Sequence, residues 1–275
     1  DMGFGIYPLL QEGSSGSTAP QHYTGIFGDS YAFGSGDWFL EVQDERNPVF
    51  NIAQLLHQHS GRDVISFGIP GSSNLCGWIE DPVSALHYIN AGKRYTLPDP
   101  ETILLFFYEG NDILETDMDY QSRFLGAGYD PARMNDREYF RHFIETEMLA
   151  RNRYYRSMQQ HPWLENIYLP RFVANIIESA RDTDGTKAFI RKAIADLRRQ
   201  PPPAGSNRAV IAGKNVSLPD NMGGPPVEMD PVTVDNALLF INSITGYVRQ
   251  RFQDSHIVIV YIPSPAMSYD ITSDD

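Results

Sequence analysis

Three short apolar runs, each ending in a glycine turn, organise the first 112 residues. Tyr23-Thr24-Gly25-Ile26-Phe27 leads into Gly28-Asp29-Ser30, Asp63-Val64-Ile65-Ser66-Phe67-Gly68 leads into Ile69-Pro70-Gly71-Ser72, and Thr102–Tyr108 leads into Gly110-Asn111-Asp112. Runs of this length bounded by turn residues predict strands over 23–28, 63–68 and 102–108. Between them the apolar residues take helical spacing. Val49, Ile52, Ala53 and Leu56 stand at i, i+3, i+4 and i+7, which predicts a helix over 48–59 with Asn47 as N-cap and Pro48 in the first turn. Asp81, Pro82 and Gly92 bracket a second helix over 82–91. The unbroken apolar run 102–108 has the pattern of a central parallel strand, buried on both faces. Such alternation implies right-handed βαβ units and a doubly wound sheet, with all three glycine turns on one sheet edge.

After residue 112 the alternation stops. Helical patterns predict helices over 136–149 behind Asp136, 151–160, 171–181 and 185–199 behind Asp184, and a Pro/Gly-rich loop runs from Pro201 to Pro231. A helix over 232–252 then carries Val234, Leu238, Ile241, Thr245, Val248 and Phe252 on one face, and a strand follows over 256–262. The expected organisation is an extended Gly/Ser-rich lead-in over 1–22, an α/β core from 23–112 and 232–275, and a mainly helical insertion or cap over 113–231.

Charge and composition narrow the function. At 275 residues and 41% hydrophobic, the chain can bury one large core. A formal net charge of −13 argues against nucleic-acid binding and against docking to anionic lipid. No apolar run approaches the roughly 20 residues of a membrane span. Cys76 is the single cysteine, so no intrachain disulfide can form, and it reads as a structural thiol. The compartment stays open, with periplasm or secretion favoured over cytoplasm. No cofactor is expected. No Cys/His cluster has zinc spacing, the Asp-rich stretch 270–275 lacks the glycine of a calcium loop, and no phosphate-binding loop occurs. Asn215-Val216-Ser217 fits the glycosylation pattern and reads as fortuitous.

The candidate chemistry sits at the three turns. A serine, a glycine amide and an asparagine amide at successive strand ends suit acyl transfer: Ser30 attacks a carbonyl, and the N–H groups of Ser30 and Gly71 with the Asn111 side chain hold the oxyanion. Asp29 and Asp112 are expected to brace the turns. Trp38 and Trp78 follow the motif turns closely and are candidate substrate contacts. A serine also needs a base. Of the seven histidines, His22 and His256 precede strands and so belong to the opposite sheet edge, His57 and His59 end a helix, His87 lies within one, and His142 and His161 fall in the insertion.

Gly28-Asp29-Ser30, Gly71 within Ile69-Pro70-Gly71-Ser72, and Gly110-Asn111-Asp112 together resemble the first three blocks of the SGNH (GDSL) hydrolases, over about residues 23–112. The resemblance implies a three-layer α/β/α sandwich with a parallel doubly wound sheet, flavodoxin-like and of SGNH type. It implies Ser30 as nucleophile, with Ser30, Gly71 and Asn111 forming the oxyanion hole. It also implies a fifth strand and an Asp-x-x-His block beyond it, and the expectation is that these belong to a portion missing from the 275 residues. The expected activity is hydrolysis of a carboxylic ester, of a small molecule or an acetylated carbohydrate. Polysaccharide O-acetyl transfer and a catalytically inactive binding module are the alternatives. Oligomeric state is left open.

Overall fold

A computed structural model of the chain describes residues 6–7, 19–34, 52–91, 96–152, 208–211, 214–217, 229–264 and 271–272. The chain divides into two compact units, one of residues 1–157 and 223–264, the other of residues 158–222 and 265–275.

The first unit holds the sheet. Its strands are β1 (Ile6–Tyr7), β2 (Tyr23–Phe27), β3 (Asp63–Ser66), β4 (Thr102–Tyr108) and β7 (His256–Ile262), in the order β1-β3-β2-β4-β7. β3, β2, β4 and β7 are parallel, and the short β1 adds antiparallel to β3 at one edge. The register sets Gly25 beside Ile65 and Ile103, and Ile103 beside Ile257. Alternate side chains therefore face opposite layers.

Each face carries its own core. Ile26, Val64 and Phe106 pack with Ala32 of helix α1 (Ser30–Phe33) and with Ala53, Ile52 and Leu56 of helix α2 (Ile52–Ser60). Tyr23, Phe27, Ile65, Ile103 and Leu105 face the other way. They join residues of helix α3 (Asp81–Ala91), helix α5 (Arg137–Phe143) and helix α6 (Pro231–Arg251) in the larger cluster. The expected α/β architecture with a parallel sheet is present, helices on both faces. The α2 stripe is the predicted one as far as it is described; Asn47, Pro48 and Val49 lie outside the described residues.

Several boundaries differ from the sequence pattern. The helix expected to begin at Pro82 behind Asp81 starts at Asn74, running through a π-helical segment (Cys76–Glu80) into α3, so Asp81 has helical backbone and is no N-cap. Its carboxylate instead accepts the Ser72 hydroxyl at 2.7 Å. Helix α4 (Asp112–Asp119), continued by a π-helical segment (Tyr120–Leu125), begins straight after the third motif turn, where no helix is predicted. Its polar inner face explains the miss: Asp112, Thr116 and Asp119 are buried there.

The core unit also extends beyond residue 112, into what reads as an insertion. Phe124 stacks edge-on to Phe143 with centroids 5.0 Å apart and lies 5.5 Å from Phe240 of α6. Asp136 caps α5 as predicted, accepting the Glu138 and Tyr139 amides, and the helix continues as a π-helical segment to Met148. The predicted helices over 151–160, 171–181 and 185–199 lie outside the described residues except at Arg151 and Asn152. On α6 the buried stripe is Ala237, Phe240, Ile244, Tyr247 and Val248, whereas Leu238 is 46% exposed. Of the predicted face, Thr245, Val248 and Phe252 are also buried and Ile241 packs against the core, so Leu238 is the departure, with Phe240 and Tyr247 taking the core space.

β7 keeps its predicted bounds and stands at the sheet edge; among the described residues no strand lies beyond it, and Val258, Ile259 and Tyr261 stay exposed. In the second unit, β5 (Arg208–Ile211) pairs antiparallel with β6 (Lys214–Ser217) and with β8 (Ile271–Thr272). Two of these strands lie within the stretch expected to be a loop from Pro201 to Pro231. At four residues each they stand at the lower limit of what periodicity resolves, and neither Arg208–Ile211 nor Lys214–Ser217 alternates apolar with polar. No described helix is long and apolar enough to cross a membrane.

Candidate active site

The parallel strands follow the order second, first, third, fourth. The chain therefore winds to one side of β2 and then to the other, and the crevice of such a sheet lies at the carboxyl ends on either side of that reversal. The turns after β2, β3 and β4 meet there.

The first turn is built on Gly28. Its φ of +148° lies outside the L-residue regions, and a Cβ there would come within 3.0 Å of both Ala32 Cβ and Phe106 Cβ. The turn passes directly into α1. Asp29 is its N-cap, accepting the Tyr31 amide at 2.9 Å, and Gly34 closes the helix with φ +79°. Ser30 opens α1, half-buried, in the turn whose amides have no intrahelical acceptor. Its Oγ donates to Asp29 Oδ2 over a long 3.4 Å. The Asp29 side chain thus faces Ser30, whereas neighbouring side chains on a turn are expected to diverge.

The second turn is tied to the first: Ile69 N–H donates to the Gly28 carbonyl at 3.2 Å. Pro70 and Gly71 occupy its two central positions, Gly71 with φ +82°, and Ser72 N–H returns to the Ile69 carbonyl at 3.1 Å. Those are the residue preferences of a type II turn. Gly71 is exposed, and a Cβ added there would meet nothing within 4 Å. The space that a side chain would take there is open.

The third turn places Asn111 at the start of α4. Its side chain does not cap the helix; Nδ2 donates to Glu115 Oε1 at 3.1 Å, and a hydrogen bond from Asn111 also favours the charged Asp29 carboxylate. Asn111 Oδ1 is buried with no hydrogen-bond partner. Asp112, 1% exposed, accepts the Tyr108 amide at 2.8 Å and Asn74 Nδ2 at 3.1 Å on one oxygen, while its other oxygen is buried without a partner. Asn74 Oδ1 accepts the Thr116 hydroxyl at 2.8 Å, joining the second and third turns. Tyr31 and Tyr108 close the first turn against the third, ring centroids 4.4 Å apart.

Burial sets the electrostatics. It pushes the Asp29 carboxyl up, partly offset by hydrogen bonds from the Tyr31 amide, Ser30 and Asn111. It pushes Asp112 up to about 7, with the nearby Asp29 charge adding to the effect. It raises Glu115 as well, against the Asn111 hydrogen bond. Cys76 is partly buried and its thiol is pushed up by the same cause, which keeps it protonated and poorly nucleophilic. Among the described residues no group of three or more His, Cys, Asp or Glu side chains is arranged to hold a metal ion.

Ser30, Gly71 and Asn111 thus lie on three adjoining turns, with Asp29 and Asp112 between them. The tryptophans do not join them. Trp78 is 1% exposed and its indole N–H donates to the Phe106 carbonyl at 2.9 Å; it is a core side chain and cannot touch a substrate, because the π-helical segment carries it inward. Trp38 lies outside the described residues. Asn74 and Glu115 are the contributors the sequence reading missed. Their signals were modest: Asn74 ends the Gly71-Ser72-Ser73-Asn74 turn, and Glu115 stands at i+4 from Asn111.

The histidines are placed by topology. His22 lies 2.6 Å from Glu101, one residue before β4; His57 bonds the Arg62 carbonyl, just before β3; and His256, first in β7, pairs with Thr102. These side chains, with His59 beside His57, belong to the amino-terminal edge. The sheet is roughly 17 Å long over the five residues of β2 at about 3.3 Å each, so they are out of reach of Ser30. His161 lies outside the described residues.

In comparisons with protein families, curated proteins and solved structures, the chain matches none.

Proposed function

We propose that this crevice is the active site of a serine ester hydrolase of SGNH type. One observation carries the reading: the turns bearing Ser30, Gly71 and Asn111 converge at the carboxyl edge of β2, β3 and β4, where the strand order reverses. With its proton taken by a general base, Ser30 Oγ attacks the ester carbonyl; the acyl-enzyme forms as the C–O bond to the alcohol breaks and the proton passes to the departing oxygen. Ser30 N–H, Gly71 N–H and Asn111 Nδ2 receive the developing oxyanion, and the absence of a side chain at Gly71 leaves the approach to its backbone unobstructed on that side. Water then cleaves the acyl-enzyme. Asp112 and Asn74 hold the third turn against the second, so the donors are set before substrate arrives. The substrate is a small or carbohydrate ester.

Intact-mass labelling of the folded protein with a fluorophosphonate tests the reading. One adduct on the parent chain and none on Ser30→Ala supports an activated serine. A second reading, a binding module that keeps the crevice without the chemistry, is favoured by the position of His22, His57, His59 and His256 at the opposite edge. It is the outcome if the parent chain takes no label while its circular dichroism shows it folded.

A further inference from the structure

A second cleft, of about 600 Å³, opens between α5 and the last turns of α6. Its volume lies in the range of small-ligand sites. Met134 and Phe140, nearly fully buried, form its floor, and its walls are polar, with Arg137, Arg249, Asn242 and Gln250 among them. The helix end that bears it feeds His256 and the amino-terminal edge of the sheet, away from Ser30.

Two independent features set this cleft apart. The first is charge. Among the described side chains, Arg62, Arg123, Arg133, Arg141, Arg151 and Arg251 each pair with a carboxylate. Arg137 and Arg249 do not, in a chain of net charge −13, and both line this one cleft. The carboxylate in the lining, Glu138, is taken by Arg141. Asn135, Asn242 and Gln250 likewise spend no side-chain hydrogen bond on the described protein. The second feature is Gly246. It stands inside the 21-residue helix α6, where glycine is the poorest choice after proline, yet a Cβ there would meet no atom within 4 Å. Packing does not require the glycine, and the bare backbone faces the cleft.

We infer that the cleft between α5 and α6 binds a small polyhydroxylated anion, a sugar acid or a sugar phosphate. Arg137 and Arg249 take the oxyanion, since a guanidinium fork matches carboxylate and phosphate geometry. The amides of Asn135, Asn242 and Gln250, able both to donate and to accept, take the hydroxyls. The missing side chain at Gly246 lets the ring approach the helix. The site stands apart from the reading of Ser30 and is tested without it.

Isothermal titration of the full chain with D-glucuronate, glucose 1-phosphate and neutral glucose decides the matter. Saturable binding of either anion supports the inference if it weakens by about tenfold or more in Arg137→Gln/Arg249→Gln. Gly246→Ala, which removes no charge, should weaken the same anion while remaining folded. Which anion binds identifies carboxylate or phosphate as the group recognised. The inference is overturned if neither anion saturates by about 20 mM. An affinity that the double variant leaves unchanged, or glucose binding as tightly as the anions, overturns it equally.

Discussion

Asn111 is the residue whose role is most sharply exposed to test. Its amide is held by Glu115 and assists the Asp29 carboxylate rather than capping α4; the function we propose requires it to turn from these carboxylates to the oxyanion. In an active hydrolase Asn111→Ala is expected to lower kcat by about 10² to 10³ with KM little changed, the effect of losing one oxyanion donor; steady-state kinetics on a chromogenic acetate ester reads this directly. Asp112 makes a prediction about stability. Its carboxyl rises from the ordinary 3.8 to about 7 in the folded protein, chiefly through burial. Between those values the folded state holds a proton that the unfolded state has released. Stability from this group is therefore full below about pH 4 and is lost as pH rises through about 7. Compared with Asp112→Asn, the parent protein should lose stability by on the order of a few kcal/mol across that window. Urea melts at pH 4 and pH 8 measure it, and an equal difference at both values rejects the account. The serine, glycine and asparagine were legible in the sequence because each ends an apolar run. Asn74 and Glu115 were not, since a buried asparagine and a half-buried glutamate look like surface residues until their partners arrive from another turn.

Among the elements, β4 and β7 have the bounds that their apolar runs predict, and α6 lies one residue from its own. The apolar runs of the strands and the helical spacing of α6 are local signals, whereas Pro231, expected to end a loop, opens the helix one residue early behind Asp230, which accepts the Thr233 amide. α4 was missed because its buried side is polar, and Leu238 on α6 stays exposed because Phe240 and Tyr247 take the core beside Val248 and Phe252. Gly246 gives a prediction at this scale. Alanine there has open space and a better helix propensity, so Gly246→Ala should stabilise the protein by up to about 1 kcal/mol. A thermal melt shows this as a raised Tm; a lowered Tm means that the glycine serves packing after all, and removes one support of the anion cleft.

For the whole molecule, the division of the chain into units is what topology adds. All pairing of β3, β2, β4 and β7 lies within one unit, although the chain leaves that unit at about residue 157 and returns at 223. Replacing residues 158–222 by a flexible linker should therefore leave a cooperative thermal transition and the far-UV signature of the parallel sheet; a non-cooperative melt would show that the core depends on the excised segment. The sequence by itself determined the parallel α/β core and the three turns that carry Ser30, Gly71 and Asn111, because apolar runs, glycines and caps act over a few neighbouring residues. Only the tertiary structure decided that Asp112 is pushed toward neutrality, that Trp78 is core, that the histidines near the strand starts stand a sheet's length from Ser30, and that Arg137 and Arg249, 112 positions apart in the chain, share one cleft. Burial and juxtaposition depend on which elements pack together, and no local pattern encodes that.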